Sequence, residues 1–303
     1  MTILVTGATG FIGRSLCQLL EARGQRVRRM QRRPGPGDTV VLDLDSALAE
    51  PHRLDDALEG IDAVAHLAWG YASNPFRDDP RHVSLNLAFT RLLVDRVAER
   101  PGIRWVGAGS QAEYGNPGVL LRPDTPTAPN NAYALAKRDA GRYALERLPG
   151  RAAWARILTA YGPGDDPNKF IPYLVSQLRS GQEAEMSPGA QRWDWLYVTD
   201  AAAALAALLT SLEAEGVFVV ASEETATFAE IAAGLVERAR AAGWPARPPR
   251  VGGRPYLPNE RMFLAGDAAR LRALTGWRPV VPLSAGLDRL IAAAAADQTP
   301  VGG

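Results

Sequence analysis

Three glycines spaced three residues apart, Gly7, Gly10 and Gly13, follow directly on an apolar segment at the start of the chain. The apolar segment predicts a β-strand, and the amphipathic stretch after Gly13 predicts a helix. In this context Gly7 permits a tight turn, Gly10 lets the backbone approach a pyrophosphate, and Gly13 lets the helix pack closely on the sheet. The unpaired N–H groups at the helix start would then bind phosphate. The predicted dinucleotide contacts are Gly7, Thr9, Gly10, Phe11, Ile12 and Gly13.

The rest of the chain alternates strand-like and helix-like segments, which is typical of a parallel sheet with helices on both faces. Predicted strands cover residues 3–6, 27–30, 40–42, 63–67, 104–107, 154–158 and 217–220. Predicted helices cover residues 12–22, 83–99, 133–147, 170–180, 200–212, 228–242 and 285–295. We therefore predict an α/β fold, a doubly wound parallel sheet (Rossmann) with a smaller C-terminal substrate lobe. Residues 1–160 would form the dinucleotide-binding domain, with segments returning at about 195–225, and residues 161–303 mainly the lobe and C-terminal helices.

Composition narrows the possible partners. The net charge of +1 over 303 residues gives no general argument for binding nucleic acid or a membrane, and no apolar run reaches membrane-spanning length. The single cysteine, Cys17, has no partner for an internal disulfide, and the three histidines form no ligand-spaced set with it. Because strand residues follow Met1 at once, we expect no secretory segment before the first strand. We expect a cytoplasmic protein without a metal site.

The end of the second predicted strand bears on the choice of cofactor. An acidic residue there hydrogen-bonds the ribose 2′-hydroxyl of NAD, whereas an arginine accommodates the 2′-phosphate of NADP. This chain has Gln31 at the acid position, followed by Arg32 and Arg33. The pattern favours NADP through these two arginines. NAD remains the alternative, because the arginines could equally belong to a solvated basic surface.

A tyrosine and a lysine four residues apart, Tyr133 and Lys137, begin the predicted helix 133–147. Residues at this spacing share one helix face, so both side chains would reach the same cleft. A free phenol, with a pKa near ~10, exchanges protons poorly at neutral pH, and a nearby lysine cation favours its phenolate form. The pair therefore predicts a proton donor or acceptor, and Lys137 has further N–H groups to hold a nicotinamide ribose.

Together, the motifs TGATGFIG at residues 6–13, GSQAEYG at 109–115, YALAK at 133–137 and GWRP at 276–279 resemble the extended branch of the short-chain dehydrogenase/reductase superfamily, which modifies sugar nucleotides. The resemblance covers nearly the whole chain. It implies catalytic roles for Ser110, Tyr133 and Lys137, with Ser110 hydrogen-bonding the substrate oxygen. It also implies further cofactor contacts at Asp43, Leu44, Leu67, Ala68, Tyr133 and Lys137.

The resemblance also implies where the substrate binds. Ser110, Gln111 and Asn168 fall on substrate-binding positions, and Arg192 is a candidate for the nucleotide diphosphate, although Trp193 occupies the family's usual arginine position. Dehydratases of the family carry an Asp-Glu pair directly after the hydroxyl residue of the serine loop. This chain has Gln111-Ala112 there, with Glu113 displaced by one, which disfavours dehydration.

These features predict NADPH-dependent reduction of a keto group, at C4, on a nucleoside-diphosphate deoxysugar. The first alternative is an NAD-dependent nucleotide-sugar epimerase. Two alternatives of other classes are a non-catalytic NADP-binding redox sensor or regulator, against which the Tyr-Lys pair argues, and a structural or RNA-associated protein, against which the balanced charge argues. The resemblance further implies a homodimer formed through helices 83–99 and 133–147.

Overall fold

The computed structural model describes residues 1–296, so the last seven residues of the predicted C-terminal lobe lie outside the described residues. The strands are β1 Thr2–Thr6, β2 Arg26–Gln31, β3 Thr39–Val41, β4 Ala63–His66, β5 Arg104–Ser110, β6 Leu120–Leu121, β7 Ala152–Ile157, β8 Thr159–Tyr161, β9 Glu185–Met186, β10 Arg192–Tyr197, β11 Gly216–Val220, β12 Thr225–Thr227, β13 Arg250–Val251 and β14 Phe263–Gly266. The helices are α1 Phe11–Ala22, α2 Leu44–Ala49, α3 Arg53–Leu58, α4 Ala88–Ala98, α5 Ala132–Arg147, α6 Phe170–Ser180, α7 Val198–Thr210, α8 Phe228–Ala241, α9 Ala269–Thr275 and α10 Leu283–Ala296.

The main sheet has seven strands in the order β3-β2-β1-β4-β5-β7-β11, and every pairing in it is parallel. Strand β1 lies inside the sheet, where Ile3 pairs with Val27 of β2 on one side and Ala63 of β4 on the other. The strand order reverses between β1 and β4, and in doubly wound folds ligands bind at such a switch point. The predicted α/β fold is confirmed.

Helices cover both faces of this sheet because successive strand residues point to opposite sides. In β1, Ile3 and Val5 are buried in one core, which includes Leu16 of α1 and Leu205 of α7. Leu4 faces the opposite core, built against α3 and α4. Both faces of β1 are therefore buried, and β1, β4 and β11 accordingly appear in the sequence as continuous apolar runs.

A second, smaller sheet has the order β12-β10-β14-β6, with β8 pairing to β10. Its strand β10 pairs antiparallel with β12 and parallel with β14 and β8. Helices α6, α8 and α10 pack beside it around a separate apolar core that includes Leu174, Leu235 and Leu290. This arrangement forms the smaller lobe, whose boundary at residue 160 stays a prediction. No helix within residues 1–296 is long and apolar enough to cross a membrane.

The predicted helix 83–99 is not α-helical over its whole length. Its first part, His82–Leu87, is a π-helical turn, and only Ala88–Ala98 is α-helical. Single π-turns within helices frequently mark functional sites, because the extra residue redirects a side chain. Here the turn carries Asn86, whose side chain is bonded to Gly70 rather than exposed to solvent.

Candidate active site

The glycine turn has the geometry that a bound pyrophosphate requires. Gly7 has a φ of 70°, and a β-carbon there would lie 2.7 Å from the Ala68 nitrogen. At Gly13 a β-carbon would lie 2.1 Å from the Gly7 carbonyl oxygen, so only glycine lets α1 come this close to β1. Helix α1 begins at Phe11 with no side-chain cap and no acid in its first turn. Its first N–H groups are thus open to an anion, and the turn fits a dinucleotide phosphate.

At the end of β2 the side chain of Gln31 is buried and donates from Nε2 to the Arg33 carbonyl oxygen at 2.9 Å. Arg32 and Arg33 are exposed, and neither forms an ion pair within residues 1–296. Asp43 caps the N-terminus of α2 by accepting from Ser46 N at 2.7 Å, which lowers the pKa of its carboxyl, with smaller contributions from nearby arginines including Arg32. The two arginines predicted to bind the 2′-phosphate, Arg32 and Arg33, are therefore free of ion pairs among the described residues. The Asp43 carboxylate, in contrast, already has a hydrogen-bond partner.

Below the turn, His66 is fully buried and hydrogen-bonded at both ring nitrogens. The Thr90 hydroxyl donates to the Asn86 carbonyl oxygen at 2.8 Å, so its oxygen accepts from His66 Nε2–H at 2.9 Å. His66 Nδ1 then accepts from the Thr6 hydroxyl at 2.8 Å. Burial, assisted by the Lys137 charge, lowers the pKa of His66 to about 3. His66 is therefore a neutral packing residue at a strand end.

The backbone after β4 is held in place by side chains from two directions. The Thr6 hydroxyl oxygen accepts from the N–H groups of Leu67 and Ala68, both at 3.2 Å. Asn86 bonds Gly70 twice, accepting from its N–H at 2.7 Å and donating to its carbonyl oxygen at 3.1 Å. These bonds fix the segment that faces the glycine turn.

Ser110, Tyr133 and Lys137 meet at one wall of the cleft. Ser110 ends β5 and accepts from Ala112 N at 3.1 Å, while Tyr133 and Lys137 lie one turn apart on α5. The Lys137 amine donates to the Ala108 carbonyl oxygen at 2.7 Å and lies 3.8 Å from the centre of the Trp69 ring. Burial lowers the pKa of Lys137 to about 7, against the opposing effect of the Glu113 charge.

Glu113 lies beneath this wall and has no exposed surface. Its carboxylate accepts from Ser110 N at 2.8 Å, from Trp154 Nε1 at 3.0 Å and from Arg156 Nε at 2.7 Å. Every bond holds the serine loop to the sheet. Glu113 is therefore a structural residue, and the geometry leaves it no path to a substrate in the cleft.

A cleft of about 810 Å³ runs without interruption from the glycine turn, past the Ser110 wall, into the smaller lobe. Its lining contains most of the predicted site residues: Gly7, Gly10, Phe11, Ile12, Gly13, Leu67, Ser110, Gln111, Tyr133, Lys137 and Asn168. The predicted residues outside this lining are Thr9, Arg32, Arg33, Asp43, Leu44, Ala68 and Arg192. Their roles in cofactor or substrate binding stay predictions.

Arg192 does not reach the cleft, which corrects the predicted diphosphate contact. Its guanidinium donates to the Thr225 carbonyl oxygen at 3.2 Å and to the Glu230 carboxylate at 3.3 Å. Neighbouring side chains in an extended segment point in opposite directions, and both Gln191 and Trp193 line the cleft. Trp193 therefore occupies the inward position that the family's arginine would have.

Sequence reasoning missed several cleft residues, namely Trp69, Arg77, Arg254 and Glu260. All four lie in irregular segments, where no periodic pattern relates a residue to a face. Of these four residues, only Trp69 could have been expected from the sequence. It lies just after the fourth predicted strand, and strand ends border the site. Within residues 1–296, no three His, Cys, Asp or Glu side chains are arranged to hold a metal ion.

The central parallel sheet, the glycine turn and the Ser-Tyr-Lys wall define an extended short-chain dehydrogenase/reductase, an NAD(P)-dependent oxidoreductase. Residues 3–221 match the NAD dependent epimerase/dehydratase family, and the chain belongs to it. The resemblance seen in the sequence is confirmed.

Similar proteins cover nearly the whole chain. A dTDP-glucose 4,6-dehydratase from Streptomyces niveus is 26% identical over a 309-position alignment that covers 95% of this chain and 90% of that protein. The structure of MoeE5 in complex with UDP-glucuronic acid and NAD superposes with a TM-score of 0.84 at 26% identity, covering 98% of this chain and 100% of the other. UDP-glucose 4-epimerase from Thermotoga maritima, with UDP-glucose, shares the fold with a TM-score of 0.85 at 20% identity, over 99% and 100% of the chains.

Proposed function

We propose that this enzyme uses NADPH to reduce a keto group, at C4, of the sugar in a nucleoside-diphosphate sugar. The observation that carries the proposal is the meeting of Ser110, Tyr133 and Lys137 on one wall of a cleft that also contains the glycine turn. The same cleft continues into the smaller lobe, which leaves room for a substrate beside the cofactor.

The chemistry divides between the cofactor and three side chains. Bound at the glycine turn, the cofactor supplies the hydride. The Ser110 oxygen already accepts from Ala112 N, so its O–H is free to donate to the carbonyl oxygen of the sugar. Tyr133 gives the proton to that same oxygen. Lys137 sits one helical turn behind and holds the nicotinamide ribose, while its own amine is oriented by the Ala108 carbonyl oxygen.

The nucleotide end of the substrate is expected in the smaller lobe. There Asn168, Trp193 and Arg254 line the cleft, and Arg254 is exposed with no ion pair among the described residues. A free guanidinium of this kind suits a diphosphate, which accepts bidentate hydrogen bonds. Arg254 thus takes the role that the sequence suggested for Arg192.

Dehydration is disfavoured by the serine loop, even though curated relatives are dehydratases. Eliminating water needs an additional acid and base near the sugar, and the positions after Ser110 hold Gln111 and Ala112. The carboxylate that follows these positions, Glu113, has all its hydrogen bonds committed to the loop and the sheet. The serine loop therefore supplies no second acid or base for elimination.

An NAD-dependent nucleotide-sugar epimerase is the second candidate. It is favoured by the structural likeness to MoeE5, which was seen with UDP-glucuronic acid and NAD, and with UDP-glucose and NAD. An epimerase keeps its cofactor bound while the keto intermediate turns over, whereas a reductase exchanges it. The choice of cofactor therefore separates the two candidates.

The cofactor preference is tested by titrating NADPH and NADH into the wild type and Arg32→Ala. We expect NADPH to bind more tightly to the wild type, and Arg32→Ala to weaken it by at least about tenfold, or ~1.4 kcal/mol, because a phosphate loses its arginine. Arg26→Ala is the control, since this exposed arginine lies at the start of β2, at the end of the strand opposite to Arg32. Tighter NADH binding, unchanged in Arg32→Ala, would assign the arginines to the surface.

The reaction is tested by assaying NADPH oxidation with nucleotide-linked 4-keto sugars and by identifying any cofactor that the purified protein retains. Steady NADPH consumption, abolished in Tyr133→Phe, supports the reductase. Retained NAD, together with interconversion of two sugar epimers and no net cofactor oxidation, identifies the epimerase. If Tyr133→Phe keeps its full biological output, the protein is a regulator that binds the nucleotide without turnover.

A further inference from the structure

The loop that precedes the π-helical turn caps the N-terminus of helix α5. The first N–H groups of a helix have no partner within the helix itself. Here Ala132 N donates to Asp78 Oδ1 at 3.3 Å, and Tyr133 N donates to the Arg77 carbonyl oxygen at 2.9 Å. The backbone of Arg77 is therefore held against the start of α5, and a substitution of its side chain leaves this hydrogen bond in place.

Because its backbone is held there, Arg77 places its side chain on the ring of Tyr133. The guanidinium carbon, Cζ, lies 4.0 Å from the centre of that ring, well within the range of a cation–π contact. The side chain also lines the cleft. Among the described residues no carboxylate lies within ion-pair distance of this guanidinium, and the two acids that follow it, Asp78 and Asp79, bond other partners. A positive charge without an acid in contact therefore lies on the face of the tyrosine.

The other ionisable groups around Tyr133 provide less positive charge. The His82 ring is 5.3 Å away, and burial lowers the pKa of His82, so this ring is neutral. Burial lowers the pKa of Lys137 to about 7, so this amine loses its proton well below the pH at which a free phenol ionises. Glu113, the acid of the serine loop, already forms an ion pair within the wall. The guanidinium of Arg77, in contrast, stays charged throughout this range.

The proton transfer is the step at which this charge acts. This reasoning rests on the proposed function, in which the carbonyl carbon receives a hydride from NADPH and the carbonyl oxygen receives the proton of Tyr133. The products are an alcohol, NADP⁺ and the phenolate of Tyr133, which regains its proton from water. Negative charge thus develops on the Tyr133 ring during the reaction, and a guanidinium fixed on the ring face stabilises it.

We propose that Arg77 is a positioning residue for proton transfer, whose charge stabilises the phenolate form of Tyr133. It acts through the tyrosine ring and not on the substrate. The sequence assigned this effect to Lys137 alone. In the structure the Lys137 amine donates to the Ala108 carbonyl oxygen, and Arg77 adds a second cation directly on the ring.

Carbon-13 NMR of protein labelled at the tyrosine Cζ tests this proposal without any substrate, and Tyr133→Phe identifies the Tyr133 signal. In the full-length protein without added nucleotide, we expect Tyr133 to be half phenolate at a pH about one unit or more higher in Arg77→Met than in the wild type. The reason is that a desolvated cation–π contact changes an equilibrium about tenfold. The same titration curve in Arg77→Met and wild type would overturn the proposal.

Arg81→Met is the matched control for this titration. The Arg81 guanidinium carbon lies 3.6 Å from the centre of the Tyr71 ring, so the same kind of contact is removed from a tyrosine with no part in the reaction. The signal of Tyr133 should titrate in Arg81→Met as it does in the wild type. An equal shift in both variants would assign the effect to the charge of the whole loop and overturn the role of Arg77.

Steady-state kinetics provide a second measurement. We expect kcat to fall by about tenfold in Arg77→Met and Arg77→Gln, with KM for the substrate changed by less than about threefold, because the contact acts in the transition state. Arg77→Lys keeps the charge and should retain most of kcat. Equal kcat values in Arg77→Lys and Arg77→Gln would show that the charge has no effect. A raised KM with unchanged kcat would make Arg77 a substrate-binding residue, and either result overturns the proposal.

These measurements separate failure of this inference from failure of the proposed function. A wild type that retains NAD and interconverts sugar epimers refutes the reductase. Its tyrosine still exchanges a proton with the substrate, so the Arg77 variants are then compared in that reaction. A wild type without any turnover refutes the proposed function, and the NMR titration then decides on Arg77. Unchanged thermal unfolding and NADP⁺ binding in each variant confirm that it is folded.

Discussion

Two buried ionisable residues beneath the cleft are stabilised in different ways. Glu113 receives three hydrogen bonds, one of them from the Arg156 guanidinium, so its charge is compensated. Lys137 has one acceptor, the Ala108 carbonyl oxygen, and otherwise faces the Trp69 ring. A ring face attracts a cation more weakly than a carboxylate does. The charged form of Lys137 is therefore the one that folding penalises until a ligand binds.

This difference predicts a pH-dependent stability cost at Lys137. Burial lowers its pKa from 10.5 to about 7, so between those values the unfolded chain binds more protons and the free energy of unfolding rises with pH. Lys137→Met removes this dependence. Without added nucleotide, we expect the free energy of unfolding of the wild type to rise by at least about 1 kcal/mol more than that of Lys137→Met between pH 6 and pH 9. Each pH unit over which the folded and unfolded lysine differ in protonation contributes ~1.4 kcal/mol.

Urea unfolding of both proteins at pH 6 and pH 9 measures this difference. A stability gap between wild type and Lys137→Met that is the same at both pH values would show that the folded lysine titrates normally. The same variant should lose oxidoreductase activity at every pH.

At the residue scale, sequence spacing located Ser110, Tyr133 and Lys137, because a strand end and one helix turn determine where those side chains point. It could not locate Arg77 or Arg254, which reach the cleft from irregular loops. It misplaced Arg192, since the register of a short strand decides which of two neighbours faces inward. The roles assigned to all these residues remain predictions until variants are measured.

At the scale of elements, all seven strands of the main sheet were predicted, because they alternate with helical patterns and most of them contain the apolar runs of buried parallel strands. The strands of the smaller sheet were not, since most contain only two to four residues and carry no readable alternation. Helices α2 and α3, six residues each, were missed for the same reason. Contacts with residues distant in the sequence, rather than a local sequence pattern, hold these short strands and helices in place.

The contact between β1 and α1 is the element-scale feature on which cofactor binding depends most. In Gly13→Ala the new β-carbon would lie 2.1 Å from the Gly7 carbonyl oxygen, which is backbone and has little room to yield. We expect overpacking to cost about 1–3 kcal/mol and NADPH binding to weaken by more than tenfold, because the N-terminus of α1 moves. Thermal unfolding and NADPH titration measure the two effects.

Gly102→Ala is the matched control for that substitution. A β-carbon there meets no atom within 4 Å, so both stability and cofactor affinity should stay near the wild-type values. Gly13→Ala binding NADPH as tightly as Gly102→Ala would show that the turn tolerates a wider separation of strand and helix than its geometry indicates.

At the scale of the whole molecule, helices α4 and α5 form one surface through which two copies could associate. They pack side by side on one face of the main sheet. Two large apolar side chains project from this surface into solvent, Val83 with 46% exposure and Leu135 with 38%. A second copy related by a two-fold axis would place the same helices against each other and form a four-helix bundle.

We therefore predict a homodimer that Leu135→Asp weakens, because two buried carboxylates would face each other across the axis. Its dimer dissociation constant should rise by at least about tenfold in sedimentation velocity, or ~1.4 kcal/mol. Leu212→Asp is the control, since Leu212 is 80% exposed and lies in the loop after α7, away from both helices. Tyr133 and Lys137 belong to α5, so dissociation should also reduce activity if the bundle keeps that helix in place. A wild type that sediments as a monomer at all working concentrations would refute the dimer.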